Sequence, residues 1–536
     1  MLTNDSRVDL IVIGGGINGA AIAREAALSG VNVALLERED FCAGTSAAST
    51  RLIHGGLRYL EHAEISLVRE SLAERERLLV TAPHLVEPLE IFLPLTRASR
   101  RGRLMIRLGM LLYDVLSFDK SLPWHRMLNR EEVLAALPGL DDGSLVGGAA
   151  YFDAQVRYPE RLVLENALDA EASGATLATR TAVTELIVEA GHIRGVVWEG
   201  NGASGRAYAD VVVNAAGPWV DRVLGRHAGA HLVGGTKGSH LIATPFADAP
   251  PSAVYAEAAS DGRPFFVIPW NGLYLIGTTD ERYDGDPANA VMSEGEYRYL
   301  VEETLRLFPG AADLERSVCY TCAGIRPLPA AEEGVAEGAI TRKHLIKRHR
   351  DIDGLYSIIG GKLTTHRALA VDCMKQLRRR LKCQRHSPTA DRPLPGALSA
   401  DDRDALIKDL SAAFGTATAT RLWHTYGGAS LMLLQDARKD SDLAQRLGPD
   451  ADLIVAELVH AFEREHALTL VDLLQRRTML GLGADLASSL APLAADCLVR
   501  LGFWDKKLAA EEVAAYRRYL RRHAVPVPRA DSDQSR

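Results

Sequence analysis

Residues 8–38, VDLIVIGGGINGAAIAREAALSGVNVALLER, constrain the fold of this chain more than any other stretch. Val8–Ile13 is a short apolar run ending in glycines, as a buried parallel strand does, and Ala20–Leu28 reads as a helix of small residues. Gly14, Gly16 and Gly19 stand between them in G-x-G-x-x-G spacing. The first glycine permits a tight turn, the second lets backbone approach a pyrophosphate, and the third lets helix and strand pack closely. The helix N-terminus offers that pyrophosphate its N–H groups and the positive end of its dipole. Val31–Leu36 forms a second apolar run, and Glu37 at its end is placed to accept hydrogen bonds from a pair of ribose hydroxyls. Strand, helix and distal carboxylate agree, so an adenine dinucleotide is expected here.

Context excludes the other glycine patterns. Gly200, Gly202 and Gly205 have the same spacing, but they lie between the strand-like runs Ile193–Glu199 and Tyr208–Asn214 with no helix after them. Asn201-Gly202 there favours a hairpin. Near Gly481 and Gly483 the third position is Leu486, and the preceding segment reads as helix. The single fingerprint argues against an enzyme that holds a flavin and a separate nicotinamide together.

At 536 residues the chain exceeds one compact core and is expected to divide into two or three domains. Its net charge of −7 argues against general nucleic-acid binding. Six scattered cysteines suit a reducing interior. Cys319 and Cys322 form a C-x-x-C on a strand-like segment, where residues three apart face opposite sides. No second pair stands nearby, so they read as small strand residues rather than zinc ligands. The first strand begins close to Met1, leaving no room for a leader, and no apolar stretch approaches the roughly 18 residues of a spanning helix. A cytoplasmic protein is expected, with superficial membrane contact at most.

Glu64–Val80 has the pattern of an amphipathic surface helix, and Pro83 and Pro88 punctuate the chain after it. Residues 91–125 set Arg97, Arg100, Arg101, Arg103 and Arg107 beside Leu108–Leu112, Met105, Met110 and Trp124. Such a segment suits an anionic lipid surface, and a solvated arginine face on an ordinary helix is the alternative. From about 140 to 330 the pattern is strand-rich, with candidates at Thr181–Glu189, Ile193–Glu199, Tyr208–Asn214, Leu241–Thr244, Phe265–Pro269 and Leu273–Gly277. Val211–Asn214 ends in Ala215-Ala216-Gly217, and Leu355–Ile359 ends in Gly360-Gly361-Lys362 before a helix over Thr365–Leu381. Strands ending in small residues bring backbone close to a ligand, so distant segments are expected to converge on the same dinucleotide. Gln384–Asp402 reads as a proline-containing linker, Asp404–Leu520 as an all-α domain, and the end from His523 as a frayed tail.

With these pieces assembled, the chain resembles the FAD-dependent glycerol-3-phosphate dehydrogenases over most of its length. The resemblance rests on GGGINGA at 14–20, TSAASTRLIHGGLRYLEH at 45–62, NAAGPWVD at 214–221 and KGSH at 237–240. It continues through IPW and IGTTD between 268 and 280, GIRPL at 324–328, ITR at 340–342, GGKLTT at 360–365 and TLVDLLQRRTMLGL at 469–482. It implies an α/β fold: a Rossmann-like FAD-binding domain, an antiparallel-sheet substrate domain and a C-terminal all-α domain. The oxidoreductase region would cover 1–383, with cofactor-binding segments at about 8–62, 181–221 and 355–383 and substrate-domain strands mainly at 222–354. A linker at 384–402, a helical domain at 403–522 and a tail at 523–536 would complete the chain. The implied reaction is oxidation of sn-glycerol 3-phosphate to dihydroxyacetone phosphate with electrons passed to membrane quinone. The implied cofactor is non-covalent FAD, in a homodimer held peripherally on the inner face of the cell membrane.

By the same resemblance the cofactor would touch Gly14, Gly16, Ile17, Asn18, Gly19, Glu37, Arg38, Leu52, Val183, Ala215, Gly217, Trp219, Gly361, Lys362, Leu363 and Thr364. Thr45, Ser46 and Ser49 can hydrogen-bond the pyrophosphate and ribityl region, and His54-Gly55-Gly56 brings backbone and an imidazole near the ring system. N–H groups over Gly360–Thr364 would stabilise negative charge on the reduced flavin. A phosphate ester requires fixed cations, and arginine binds phosphate bidentately. By resemblance to the family, Arg58, Arg326, Arg342 and Lys362 would line the substrate pocket, with Arg326 and Arg342 expected to grip the phosphate or the developing oxyanion and Arg58 and Tyr59 to shape the other wall. His54 and His240 are the candidate bases, His240 following a small-residue turn at Lys237-Gly238-Ser239, and an arginine-bound water is the alternative.

Two positions depart from the family pattern. His366 follows Thr364-Thr365 where many relatives carry tyrosine, and Cys322 stands where a bulkier residue is common, which leaves pocket volume open. Three other activities compete: a glycerol-phosphate oxidase reducing oxygen, an amino-acid oxidase clamping a carboxylate, and a non-catalytic flavin-binding protein.

Overall fold

The computed structural model describes residues 3–60, 63–97, 99–141, 143–330, 341–383, 387, 389–448 and 452–527. The opening segment forms the centre of a six-stranded sheet. Leu10–Ile13 pairs in parallel with Val33–Leu36 on one side and Val211–Asn214 on the other. Thr176–Ala178 extends one flank; Leu355–Ile359 extends the other and carries Leu345–Arg348 antiparallel at its edge. All four residues of Leu10–Ile13 are buried, which explains an unbroken apolar run rather than an alternating one. The helix Ile17–Leu28 packs on this sheet with its alanines buried. The small-residue ends at Ala215 and Gly360 therefore emerge beside the glycine loop, as expected of strands that end in small residues.

A second sheet of four strands holds the hairpin. His192–Gly200 pairs with Ala203–Tyr208 through a turn at Asn201-Gly202, so the second glycine triplet belongs to a hairpin. The run 208–214 is divided, however, with Val211–Asn214 joining the other sheet.

The substrate-side sheet has ten strands and reaches further back in sequence than expected. Beside Val233–Ala243, Ala253–Glu257, Pro264–Trp270, Leu273–Gly277 and Val318–Pro329 it recruits Leu52–Ile53, Val86–Thr96, Arg126–Leu128 and Leu145–Val156. Pro88, which reads as a break in the sequence, lies with Pro94 inside Val86–Thr96. One edge of that strand pairs along its length with Leu145–Val156, while the other meets Ala253–Glu257 only at Ile91 and Phe92, so missing N–H groups are tolerated. That last contact is parallel, so the sheet is antiparallel with one exception. Lys237-Gly238-Ser239 is also no turn: it lies within the continuous strand Val233–Ala243, paired with Val318–Pro329.

The helix Arg103–Leu116 lies over this sheet. Ile106, Met110 and Tyr113 face inward, while Leu104, Met105, Leu108 and Val115 are more than half exposed, as are Phe118 and Trp124 just beyond.

The C-terminal part consists of helices beginning at Ala400 and ending with Lys506–Leu520. It meets the cofactor domain across buried ion pairs. Arg161 makes two 2.8 Å bonds to Glu465, and Arg477 makes two 2.8 Å bonds to Asp40, with Arg476 adding a third contact to the same carboxylate. The segment before these helices is strapped down rather than loose: Arg392 pairs with Asp169, Leu394 is buried, and Gly396 N–H donates to Glu165. Residues 523–527 are likewise held. His523 Nδ1 lies 2.9 Å from the Thr321 carbonyl, and Val525 and Val527 pack on the substrate-side core. The rest of the expected tail lies outside the described residues, as do Glu61, His62 and Ile340 of the family motifs.

Candidate active site

One large cavity, about 1000 Å³, runs from the glycine loop to the substrate-side sheet. At its first end Gly14 has φ +107°, and a Cβ there would lie 2.7 Å from the Ala215 carbonyl oxygen. A Cβ on Gly19 would lie 1.8 Å from the Gly14 carbonyl oxygen, so Gly19 packs helix against loop and does not line the cavity. The helix Ile17–Leu28 starts at Gly16 with no side-chain cap. Ser46 Oγ accepts from Ile17 N–H at 3.1 Å. Asn18 Oδ1 is buried without a hydrogen-bond partner among the described residues, while its amide donates to the Gly360 carbonyl. A helix start whose own N-cap residue carries no side chain, an orphaned amide oxygen and backbone with no room for Cβ suit an adenine dinucleotide pyrophosphate.

Glu37 accepts from Gly15 N–H at 2.6 Å and Glu39 N–H at 2.7 Å, so it also shapes the glycine loop. Burial raises its pKa, while those two N–H groups lower it. Arg38 stacks on Trp219, 4.3 Å from the ring centroid, on the cavity wall. Ile17, Leu52, Val183, Ala215, Gly217, Gly361, Leu363 and Thr364 also line the cavity. Thr45 and Ser49 line it too but are partly engaged: Thr45 Oγ1 donates to the Ile325 carbonyl, and Ser49 Oγ accepts from Arg51 N–H.

The other end carries the cations. Arg58, Arg326 and Arg342 all line it, although they come from a 3₁₀ turn, a long strand and a loop. Arg326 donates to Asp280 Oδ1 at 2.9 Å, Thr278 Oγ1 at 3.0 Å and the Thr279 carbonyl at 3.2 Å; Arg342 donates to Asp280 Oδ2 at 3.3 Å. One carboxylate thus serves two guanidinium groups, leaving a surplus of positive charge. Burial, with Arg342 and Arg58 nearby, pulls the Arg326 pKa down to about 10 despite Asp280. Space for its guanidinium comes from Gly238, where a Cβ would lie 2.2 Å from Nη2.

Lys362 lines the cavity, but its ammonium does not stand free for a phosphate. Nζ donates to Ser71 Oγ at 2.9 Å and to the carbonyls of His54 and Gly55 at 3.2 and 3.3 Å, and it lies 4.7 Å from the Tyr59 ring centroid. Burial, together with the charge on Arg342, lowers its pKa to about 7, and Asp153 opposes that shift. Through those carbonyls its ammonium is bonded to the 54–56 turn. Gly55 is also turned away from the cavity: its N–H donates to Tyr113 Oη at 2.9 Å.

The two histidines differ. His240 lines the cavity but is almost wholly buried, with Nε2 3.0 Å from Thr50 Oγ1 and Nδ1 without a partner among the described residues. Burial, then the charges on Arg326 and Arg51, lowers its pKa to about 3. His54 is partly exposed to the cavity, and its ring makes no hydrogen bond among the described residues. Burial, then Lys362, Arg342 and Arg75, holds it well below the usual histidine range, so its imidazole is neutral near pH 7.

Sequence reasoning passes over several groups. Asp280 lies within the IGTTD motif, but its sharing between two arginines depends on strand pairing. Glu296 gathers Lys237, Ser239 and Thr279 behind the His240 strand. Arg51 is buried against Glu160 in a bidentate pair. Arg100 and Arg101 turn inward to the cavity rim, bonding the Asp261 carbonyl and Glu257, which leaves Arg97, Arg103 and Arg107 as the outward cations of that segment. Cys319 and Cys322 are free thiols on one strand, and no cluster able to hold a metal occurs among the described residues.

Comparison with known proteins agrees with this geometry. Residues 9–370 match the FAD dependent oxidoreductase family, and residues 387–509 match the C-terminal domain of alpha-glycerophosphate oxidase. The chain is similar to the glycerol-3-phosphate dehydrogenase of Synechocystis sp., 40% identical over 538 residues and 97% of each chain. It is also similar to the D-erythritol 1-phosphate dehydrogenase of Brucella abortus, 36% identical over 88% of this chain and 94% of that protein. Among solved structures, the glycerol-3-phosphate dehydrogenase from Bacillus halodurans complexed with FAD aligns with a TM-score of 0.80 at 27% identity, covering 98% of this chain and 97% of that one.

Proposed function

The chain belongs to the family of FAD-dependent glycerol-3-phosphate dehydrogenases, and on that premise we propose that it oxidises sn-glycerol 3-phosphate to dihydroxyacetone phosphate and passes the electrons to membrane quinone. The observation that carries the reading is the cavity itself: a dinucleotide cradle opens directly onto three arginines and an untethered imidazole. The cofactor is FAD, which when bound supplies the two-electron acceptor for hydrogen leaving the substrate carbon.

Arg326 and Arg342 meet the phosphate, and the dianion competes with Asp280 for their N–H groups, so their charge is compensated both before and after binding. Arg58 and Tyr59 close the opposite wall. His54 takes the hydroxyl proton: both histidines line the cavity, but the His54 ring is the more exposed and makes no hydrogen bond among the described residues, whereas His240 is almost wholly buried and tied to Thr50. His240 and Lys362 hold strand and turn in place around it.

The outward face of Arg103–Leu116 supports a lipid surface as the place of quinone reduction. It is too short to span a bilayer, and among the described residues no helix is long and apolar enough to do so. Its exposed leucines lie flat in this reading, with Arg97, Arg103 and Arg107 toward anionic headgroups.

Anaerobic addition of glycerol 3-phosphate, but not glycerol, should bleach the oxidised flavin. An unchanged spectrum would reject the reaction. D-erythritol 1-phosphate, tested alongside because of the Brucella relative, should bleach it less effectively. A peroxide yield matching substrate consumed, with no reduction of a quinone analogue, would instead assign oxygen as acceptor.

A further inference from the structure

Beneath the substrate turn lies a buried polar cluster that the proposed reaction does not use. Asp153, on the strand Leu145–Val156, accepts from Arg75 at 2.6 Å and from Tyr113 Oη at 2.7 and 2.9 Å to its two oxygens. Arg75 also donates to Ser117 Oγ, and all these side chains are almost wholly buried. Tyr113 Oη has one hydrogen, committed to Asp153, and its free lone pair accepts from Gly55 N–H at 2.9 Å. A Cβ on Gly55 would lie 2.5 Å from that oxygen, so the fit leaves no slack. The same turn is gripped from its other side by Lys362, through the His54 and Gly55 carbonyls.

We propose that Tyr113, oriented by Asp153 and Arg75, is a positioning residue: by fixing Gly55 N–H it sets the turn that aims His54, Arg58 and Tyr59 into the cavity. The N–H of Gly55 is buried, and among the described residues its acceptors are the Tyr113 hydroxyl and, at 3.4 Å, Asp153. Tyr113 makes an edge contact with Tyr151, 6.0 Å between centroids, so loss of the hydroxyl alone leaves ring packing intact. The acceptor would then be missing while the core stays filled. The turn relaxes toward other partners, and the three cavity residues one to four positions away move with it.

The inference rests on the glycerol-phosphate reading for its kinetic arm but not for its structural arm. With full-length, FAD-loaded protein, Tyr113→Phe should raise the glycerol 3-phosphate concentration that half-saturates anaerobic flavin reduction about tenfold. Flavin content should be unchanged, and the limiting rate should fall by less than the half-saturation rises. Asp153→Asn, which keeps the shape but weakens the orienting charge, should act in the same direction and serves if the phenylalanine variant does not fold. Tyr274→Phe, which loses a comparable hydroxyl bond to the Pro250 carbonyl far from the turn, should change neither quantity. Amide hydrogen exchange supplies the independent readout: the peptide spanning Gly55 should exchange slowly in the unaltered protein and faster in Tyr113→Phe. A half-saturation within twofold of the parent per loaded flavin, or rapid exchange at Gly55 in the parent, would overturn the proposal. If glycerol 3-phosphate fails to reduce the parent itself, the proposed reaction falls, and the exchange result alone decides the positioning role.

Discussion

The glycine end of the cavity is shaped by close-packed backbone, centred on the loop within Leu10–Glu37. The arginine end is lined by charged side chains from separate segments, Arg58, Asp280, Arg326 and Arg342. Backbone donors are neutral, so burying them requires only that each be hydrogen-bonded. A buried guanidinium without a counter-charge costs several kcal/mol. The second end therefore needs Asp280 as a resident partner, and Gly238 to leave room for the fork, whereas the first depends chiefly on backbone with no room for side chains at Gly14 and Gly19. A cofactor that stays can be met by a rigid cradle; a dianion that comes and goes requires charges that are stable both with and without it.

This contrast can be broken experimentally. The largest effect should come from the cradle, where a side chain has nowhere to go: Gly19→Val should yield protein without bound flavin, read from the visible spectrum, while Arg326→Met should retain it. Next, His54→Gln should lower limiting flavin reduction by roughly 10²–10⁴, the usual contribution of a general base. The pH profile sharpens that assignment. Because burial and three nearby cations depress the His54 pKa below 6.5, the ring stays neutral until the solution falls below that value. The acid limb of kcat/KM should then lie below pH 6.5 and vanish in His54→Gln; a limb above 7.5 would point to another group. Arg326→Met should reduce kcat/KM for glycerol 3-phosphate by about thirtyfold or more, corresponding to about 2–5 kcal/mol for removing one partner of a buried charge pair. The smallest effect should come from the outer helix. Leu108→Glu with Leu112→Glu should weaken co-sedimentation with anionic vesicles about tenfold, whereas Arg100→Glu, whose side chain turns to the cavity rim, should leave it unchanged.

The same contrast decides how much is legible in the sequence. The cradle is contiguous, so periodicity and glycine spacing locate the strand, the helix and Glu37. The convergence of Ala215 and Gly360 on it is implied by strands ending in small residues. At the other end the cations are visible by motif, but their partners are not, because Asp280 meets Arg326 only through the pairing of non-adjacent strands. Lys237-Gly238-Ser239 looks like a turn because its residues are small and polar. Within the sheet its alternation sends Lys237 and Ser239 to Glu296 and leaves Gly238 beside Arg326. Val86–Thr96 is hidden by its prolines, whose tolerance depends on an edge no local pattern reveals. Lys362 lines the cavity as expected, but nothing in the sequence shows that the His54 and Gly55 carbonyls lie within reach of its ammonium.

The paired charges Arg161–Glu465 and Asp40–Arg477 tie the last third of the chain to its first third where water is excluded. Grafting that last third from a relative onto this protein would therefore succeed only if the graft supplied matching partners. Otherwise each junction would strand a lone ion in oil, and natural drift at any one of these four positions is confined by its mate.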